Sequence, residues 1–309
     1  MSAGADGRGG AAVAAGRSFV VVRPGPLATL QDGGRRGVAA LGVPRAGALD
    51  GPAYRWANAL VGNGSTGGSG AAVVEATLGG LALRAAGGDA WVAVTGAPAP
   101  VRVGGRPAAW GAAVRVREGD LVEVGAVTAG LRCYLAVDGG FDVPPVLGSR
   151  SADLLSGLGP APLAAGTALP LGTSTPDAGP LHTDWLPLPA PPGELLLGLA
   201  PGPRRDWFTA DALNALARAR YTVSPASNRV GLRLTDGPAL ARRAGLGELP
   251  SEGMVLGSVQ VPPDGLPVVF LADHPTTGGY PVVGVVPEPD LAAAAQAAPG
   301  TPVRFVPVR

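Results

Sequence analysis

The chain has 309 residues, 46% of them hydrophobic but only 5% aromatic, and a formal charge of +1 at pH 7. That length allows one large core or two ordinary ones, filled mainly by Val, Leu and Ala. There is no basic block interleaved with aromatic residues and no apolar run of roughly 20 residues, so neither nucleic acid nor a membrane is an expected partner.

Residues 1–17, rich in Gly and Ala, read as a disordered tail whose apolar stretch is too short for a signal peptide. Short strand-like runs follow in quick succession, at residues 19–24, 91–96, 101–105, 114–125 and 132–140. In residues 114–125 the alternation of Val114, Val116, Leu121 and Val124 around Glu118-Gly119-Asp120 predicts a hairpin. Residues 49–61 predict a helix, with Asp50 as N-cap, Pro52 in its first turn and Gly62-Asn63-Gly64 ending it. Its apolar face is expected to carry Trp56, Ala57, Leu60 and Val61. Cys133, the single cysteine, sits in an apolar strand and reads as a core thiol; with no internal disulfide possible, a reducing cytoplasm is expected.

The least regular stretch, residues 171–193, holds the linker, placed at 181–193. His182 within it reads as a solvated bystander. Beyond it, strand-like runs return at residues 194–202, 230–234, 267–273, 281–286 and 302–308, with helices over 206–220 and 291–298. Pro262-Pro263-Asp264-Gly265 is a turn joining strands 257–261 and 267–272. The chain therefore divides into β-rich lobes at 18–180 and 194–309. The 50 glycines and 33 prolines fit many short strands, and barrel-like sheets remove their edges.

Four segments carry polar chemistry. Residues 29–50 hold Gln31, Asp32, Arg35, Arg36, Arg45 and Asp50 among glycines. This is a turn, or a loop whose arginines receive a carboxylate or phosphate. Residues 148–159 hold Ser149, Arg150, Ser151 and Asp153, a capped turn or a second polar wall. Residues 224–234 hold Asn228 and Arg229. The last segment runs from Glu252 through Gln260 to Asp273, His274, Thr276, Thr277, Gly278, Gly279 and Tyr280, at strand ends suited to lining a cleft. Two histidines and one cysteine make no usual zinc site, and no metal site is expected. All 24 basic residues are arginine, which excludes a Walker A lysine, a Schiff-base lysine and covalently attached biotin on this chain.

These segments, TLQDGGRRGVAALGVPRAGALD, GSRSADLLSGLG, SNRVGLRL, SEGMVLGSVQVPPDG and LADHPTTGGYP, occur in an order and spacing that resemble the biotin-dependent carboxyltransferase family. The same family is called allophanate hydrolase subunit 2, or KipA-like. The resemblance spans roughly residues 19–308. His274-Pro275 departs from the Arg-Gln expected in many relatives. The resemblance implies a mainly β fold of two cyclophilin-like β-barrel lobes, with a few short helices and a cleft between them. It also implies a role as the KipA-like component of an ATP-dependent 5-oxoprolinase complex that converts 5-oxoproline to glutamate. The implied partners are two further subunits, one KipI-like and one LamB/YcsF-like.

A lactam carbonyl needs activation, by phosphoryl transfer from ATP with Mg bound in the complex, before water attacks. In that scheme Asp32, Asp273 and Glu252 are the catalytic candidates. Gln31, Arg35, Arg45, Arg150, Asn228, Arg229, Gln260, Thr276, Thr277, Gly278, Gly279 and Tyr280 are the candidates for binding substrate or phosphate. Two other roles remain open at this stage: a carboxyltransferase component of a urea-carboxylase-like system, and a non-catalytic partner of a KipI-like kinase inhibitor.

Overall fold

The computed structural model describes residues 16–64, 70–174 and 190–308. The predicted tail, apart from its last two residues, and most of the predicted linker, with His182, lie outside them. Among the described residues the chain is mainly β, with three short α-helices and two 3-10 turns. No helix among them is long and apolar enough to cross a membrane.

The first lobe contains β1 (Ser18–Arg23), β2 (Leu27–Gln31), β3 (Val73–Thr77), β4 (Gly79–Ala86), β5 (Ala90–Gly96), β6 (Val101–Val103), β7 (Arg106–Ala108), β8 (Ala113–Val116), β9 (Leu121–Ala126), β10 (Arg132–Val137) and β11 (Ala168–Pro170). Six form one sheet in the order β11-β1-β4-β9-β6-β7, and five form the other, β2-β3-β10-β5-β8. Side chains alternate between the faces of a strand, so Phe19, Val21, Leu83 and Val124 of one sheet meet Leu30, Val74, Val92 and Leu135 of the other in one core. Cys133 belongs to this core, and burial pushes its thiol up to about 12, so it packs rather than reacts.

Two expectations are corrected here. The hairpin over residues 114–125 does not form: β8 pairs with β5 in one sheet, whereas β9 pairs with β4 and β6 in the other. The turn at Gly119 carries the chain from one layer to the next. Alternation reports which face is buried, not which strand lies alongside. In α1 (Gly51–Leu60), Trp56 is 44% exposed. The buried stripe instead runs through Ala53, Tyr54, Ala57 and Leu60, which pack on Val73, Ala93, Tyr134 and Ala136 of the five-stranded sheet. Trp56 precedes Ala57 by one residue and so lies about 100° round the helix from it. The caps are as expected: Asp50 accepts from Ala53 N at 3.0 Å, and Gly62, at φ +78°, closes the other end.

The second lobe is a closed barrel. Its strands are β12 (Leu195–Pro201), β13 (Tyr221–Val223), β14 (Gly231–Thr235), β16 (Ser258–Gln260), β17 (Val268–Phe270), β19 (Val282–Val285) and β20 (Pro302–Pro307). A ribbon of β15 (Glu252–Gly253) and β18 (Thr277–Gly278) stands apart from it. The predicted turn joins β16 to β17 with Val259 opposite Val269, and Gly265 N donates to Pro262 O at 3.0 Å. The helix expected from residue 206 starts later, as α2 (Ala210–Arg218), because Thr209 caps it. The last helix, α3 (Glu288–Gln296), starts three residues before the expected Leu291, with proline in its first turn. Leu49, just before α1, is buried in the second lobe's core and so pins one lobe to the other.

Candidate functional site

Asp32 follows the end of β2 and is 1% exposed. Its Oδ1 accepts from Gly34 N at 2.8 Å, Ser149 Oγ at 2.6 Å and Ser151 Oγ at 2.7 Å. Its Oδ2 accepts from Arg150 N at 2.6 Å. One carboxylate thus ties residues 32–35 to residues 149–151, and charge-assisted bonds of this kind are the strong ones. Gly34 has φ +82°, and a Cβ there would lie 2.7 Å from both Arg45 O and Ala46 O. Only glycine lets this loop lie against residues 45–48, where Arg35 N donates to Arg45 O at 2.7 Å. The buried Arg35 donates from Nε to Val146 O at 3.1 Å and from Nη2 to Ser151 O, while Nη1 has no partner. Burial lowers its pKa, and Asp153, Asp32 and Asp273 oppose that. Gln31 binds Thr29 Oγ1 at 3.0 Å and Ala152 O at 3.1 Å. The Arg150 side chain turns away, to Asp142 at 2.7 Å.

A second buried layer crosses between the lobes. Arg229 donates from Nε to Asp273 Oδ2 and from Nη2 to Asp273 Oδ1, both at 2.9 Å. The same Nη2 reaches Gly47 O at 2.7 Å, and Nη1 is bonded to Glu75 Oε1 on β3. Glu75 also accepts from Leu49 N at 3.0 Å and faces Arg132 Nε at 3.7 Å. Asp273 accepts from Leu154 N at 3.1 Å. Four charges of alternating sign, Arg132, Glu75, Arg229 and Asp273, are therefore buried in a row. Burial works to raise the Glu75 carboxyl, but Arg229 and Arg132 hold it below the usual range. Burial raises the Asp273 carboxyl against the pull of Arg229. Gln296 of α3 completes the contact. Its Oε1 accepts from Leu131 N and Arg132 N, both at 3.0 Å, and its Nε2 donates to Asp50 Oδ2 at 2.9 Å.

Beside these layers an open cleft of about 1230 Å³ runs between α1 and the start of α3. Its walls include Leu49, Leu256, Leu271 and Leu291, and Asp32, Arg36, Arg45 and Arg55 also line it. Arg45 meets Glu288 at 3.1 Å across the cleft.

The remaining candidates cluster on the ribbon and the barrel face beneath it. Glu252 forms a two-point pair with Arg204 and lies opposite Gly278 in the ribbon. Gln260 donates to Tyr280 O at 3.3 Å, and a Cβ on Gly278 would lie 2.7 Å from Gln260 Nε2. Thr277 and Tyr280 are exposed, while Thr276 and Gly279 are half-buried. His274 stacks on Phe270 with ring centroids 5.9 Å apart, and its Nδ1 lies 2.8 Å from Pro275 O. A carbonyl accepts, so Nδ1 carries the proton.

Asp32, Gln31 and Arg35 thus lie in one buried polar layer and Arg229 and Asp273 in the next, and Arg45 lines the adjoining cleft. Glu252, Gln260 and residues 276–280 do not line that cleft. Asn228 is exposed, and its side chain accepts from Val230 N at 2.9 Å in a local turn. Sequence reasoning missed Glu75, Arg132, Gln296 and Arg55. The available signal was a charge inside an apolar strand, as in VVEAT and RCYLAV.

A two-lobed β fold with a polar seam and an interlobe cleft is the architecture of a carboxyltransferase-type domain. The chain belongs to that family: residues 41–307 match the carboxyltransferase domain, subdomain A and B. It is 38% identical to the C component of 5-oxoprolinase from Escherichia coli, over 93% of this chain and 90% of that protein. It is also 32% identical to urea amidolyase of Lachancea kluyveri, over 94% of this chain but 17% of that protein. Among solved structures, TTHA0988 superposes with a TM-score of 0.83 at 36% identity. That alignment covers 94% of this chain and 56% of the TTHA0988 chain, so this chain spans little over half of that neighbour's length. The K. lactis urea amidolyase gives a TM-score of 0.84 at 31% identity, covering 94% of this chain and 19% of that one.

Proposed function

We propose that the chain is the KipA-like component of an ATP-dependent 5-oxoprolinase, opening the lactam of 5-oxoproline to glutamate in a complex with two other proteins, one KipI-like and one LamB/YcsF-like. The observation that carries this reading is the near full-length match, over 90% of the Escherichia coli 5-oxoprolinase component. Within it, the interlobe cleft takes the substrate end of the reaction, with Arg45 at its wall. Asp32, Arg229 and Asp273 act as positioning residues, since internal partners already occupy their polar atoms. Glu252, Gln260 and residues 276–280 form a separate contact region on the ribbon. ATP with its magnesium is assigned to the assembled complex as a whole. The chain has no lysine and so carries no biotin of its own.

The test is reconstitution with both partner proteins. Release of ADP and glutamate from 5-oxoproline, unaffected by avidin, is expected. A second reading, a urea-carboxylase-like carboxyltransferase, is favoured by the urea amidolyase match alone. Avidin-sensitive carboxylation of urea, with no turnover of 5-oxoproline, would establish it in place of the first.

A further inference from the structure

We infer that the interlobe cleft is an oxyanion-binding site whose free charge is carried by Arg36 and Arg55. The inference comes from accounting for each polar side chain that lines it. Asp32 is held by four donors. Tyr54 Oη donates to Ala71 O at 3.0 Å. Asn58 donates to Ala71 O at 3.1 Å and accepts from Asn63 at 2.8 Å. Asn63 also donates to Val137 O and accepts from Gly139 N, both at 2.8 Å. Arg45 and Glu288 offset one another.

What is left is cationic. Arg36 and Arg55 are exposed, line the cleft and have no hydrogen bond or ion pair among the described residues. Arg55 folds back along α1, because its Nη1 lies 3.1 Å from where a Cβ on Gly51 would be. Each guanidinium presents a planar fork that fits a carboxylate or a phosphoryl group. Asp50, the N-cap of α1, attracts Arg55 without a salt bridge, and low-dielectric walls such as Leu49, Leu256 and Leu291 strengthen the field of both arginines in the cleft. No lining carboxylate is free to attract a cation: Asp32 is saturated and Glu288 is paired. The volume, about 1230 Å³, exceeds the upper end of ordinary small-ligand pockets, roughly 1000 Å³, so a phosphorylated ligand fits as well as a small acid. The anion site rests on the cleft alone. Only the choice of natural anion rests on the lactam reading.

The experiment is calorimetric titration of the full chain at low salt with 5-oxoproline, inorganic phosphate, ATP and the uncharged lactam 2-pyrrolidinone. At least one of the three anions is expected to bind, and 2-pyrrolidinone is not. Arg36→Gln and Arg55→Gln should each weaken binding by about tenfold, and the double variant should abolish it. Arg115→Gln, outside the cleft, should bind as the unaltered chain does. Neither cleft arginine makes a hydrogen bond or salt bridge among the described residues, so thermal melts of the variants should lie close to that of the unaltered chain. Binding of 5-oxoproline without phosphate identifies a carboxylate. Binding of phosphate or ATP without 5-oxoproline upholds the anion site and counts against a lactam held by this chain. No anion bound at tens of millimolar, or a double variant that binds normally, overturns the inference.

Discussion

Arg229 grips Asp273 with Nε and Nη2, both at 2.9 Å, while its third nitrogen holds Glu75 of the other lobe. All three groups are buried, so removing one leaves the others charged in a low dielectric. Arg229→Met should cost about 3 to 5 kcal/mol in urea unfolding. Arg229→Lys should not restore it, because an ammonium cannot fork. A loss below about 1 kcal/mol would show that the layer is not structural.

Gln296 is the second lobe's hand on the first. Gln296→Leu keeps most of the bulk but leaves Leu131 N, Arg132 N and an Asp50 oxygen without this partner. At roughly 1 kcal/mol or more for each buried group left unpaired, a loss of about 2 to 4 kcal/mol is expected. Hydrogen exchange at Leu131 and Arg132, whose amides donate to Gln296 Oε1, should rise with it.

Asp32 gathers four donors. Asp32→Ala should destabilise the chain by about 3 kcal/mol, and Ser149→Ala or Ser151→Ala by about 1 kcal/mol each. Thermal unfolding of the three variants checks this ordering. Equal effects from all three would contradict a hub centred on the carboxylate.

Burial lowers the pKa of His274, with the Pro275 carbonyl and Asp273 opposing. The unfolded value is ~6.5, so between it and the folded value the unfolded chain binds more protons than the native chain. The stability linked to His274 is therefore present above about pH 6.5 and is lost as pH falls toward the folded pKa. Melting temperature should drop between about pH 7 and pH 5.5, and His274→Phe should flatten that slope. An unchanged slope in the variant would assign the drop to other groups.

Arg45 and Glu288 are 28% and 66% exposed, so their ion pair is screened by solvent. Arg45→Ala should leave stability within about 1 kcal/mol. In the reconstituted complex it should raise KM for the anionic substrate more than it lowers kcat. A kcat effect without a KM effect would move Arg45 from binding to chemistry.

Much of the local structure was legible from residues alone. Asp50, Pro52 and Gly62 delimit α1 through backbone chemistry that operates within a few residues, and Pro262 to Gly265 turn the chain for the same reason. The face that Trp56 takes and the partners of β8 and β9 were not legible, because both depend on what packs against them. Glu75 and Arg132 gave only a faint signal, one charge each in an apolar strand. Their partners lie far off in the chain: Arg229 is 154 residues from Glu75.

The sequence by itself determined the β-rich character, the caps and turns, and the absence of lysine chemistry, since each follows from residue type or short spacing. It also marked the loops in which Asp32, Arg229 and Asp273 lie. Only the tertiary structure decided that Asp32 is spent on tying two loops of the first lobe together, that Arg229 and Asp273 are spent on holding the lobes together, and that Arg36 and Arg55 are the arginines left open in the cleft. A guanidinium is bound or free according to which carboxylate folding brings within about 3 Å of it, and no local pattern records that distance.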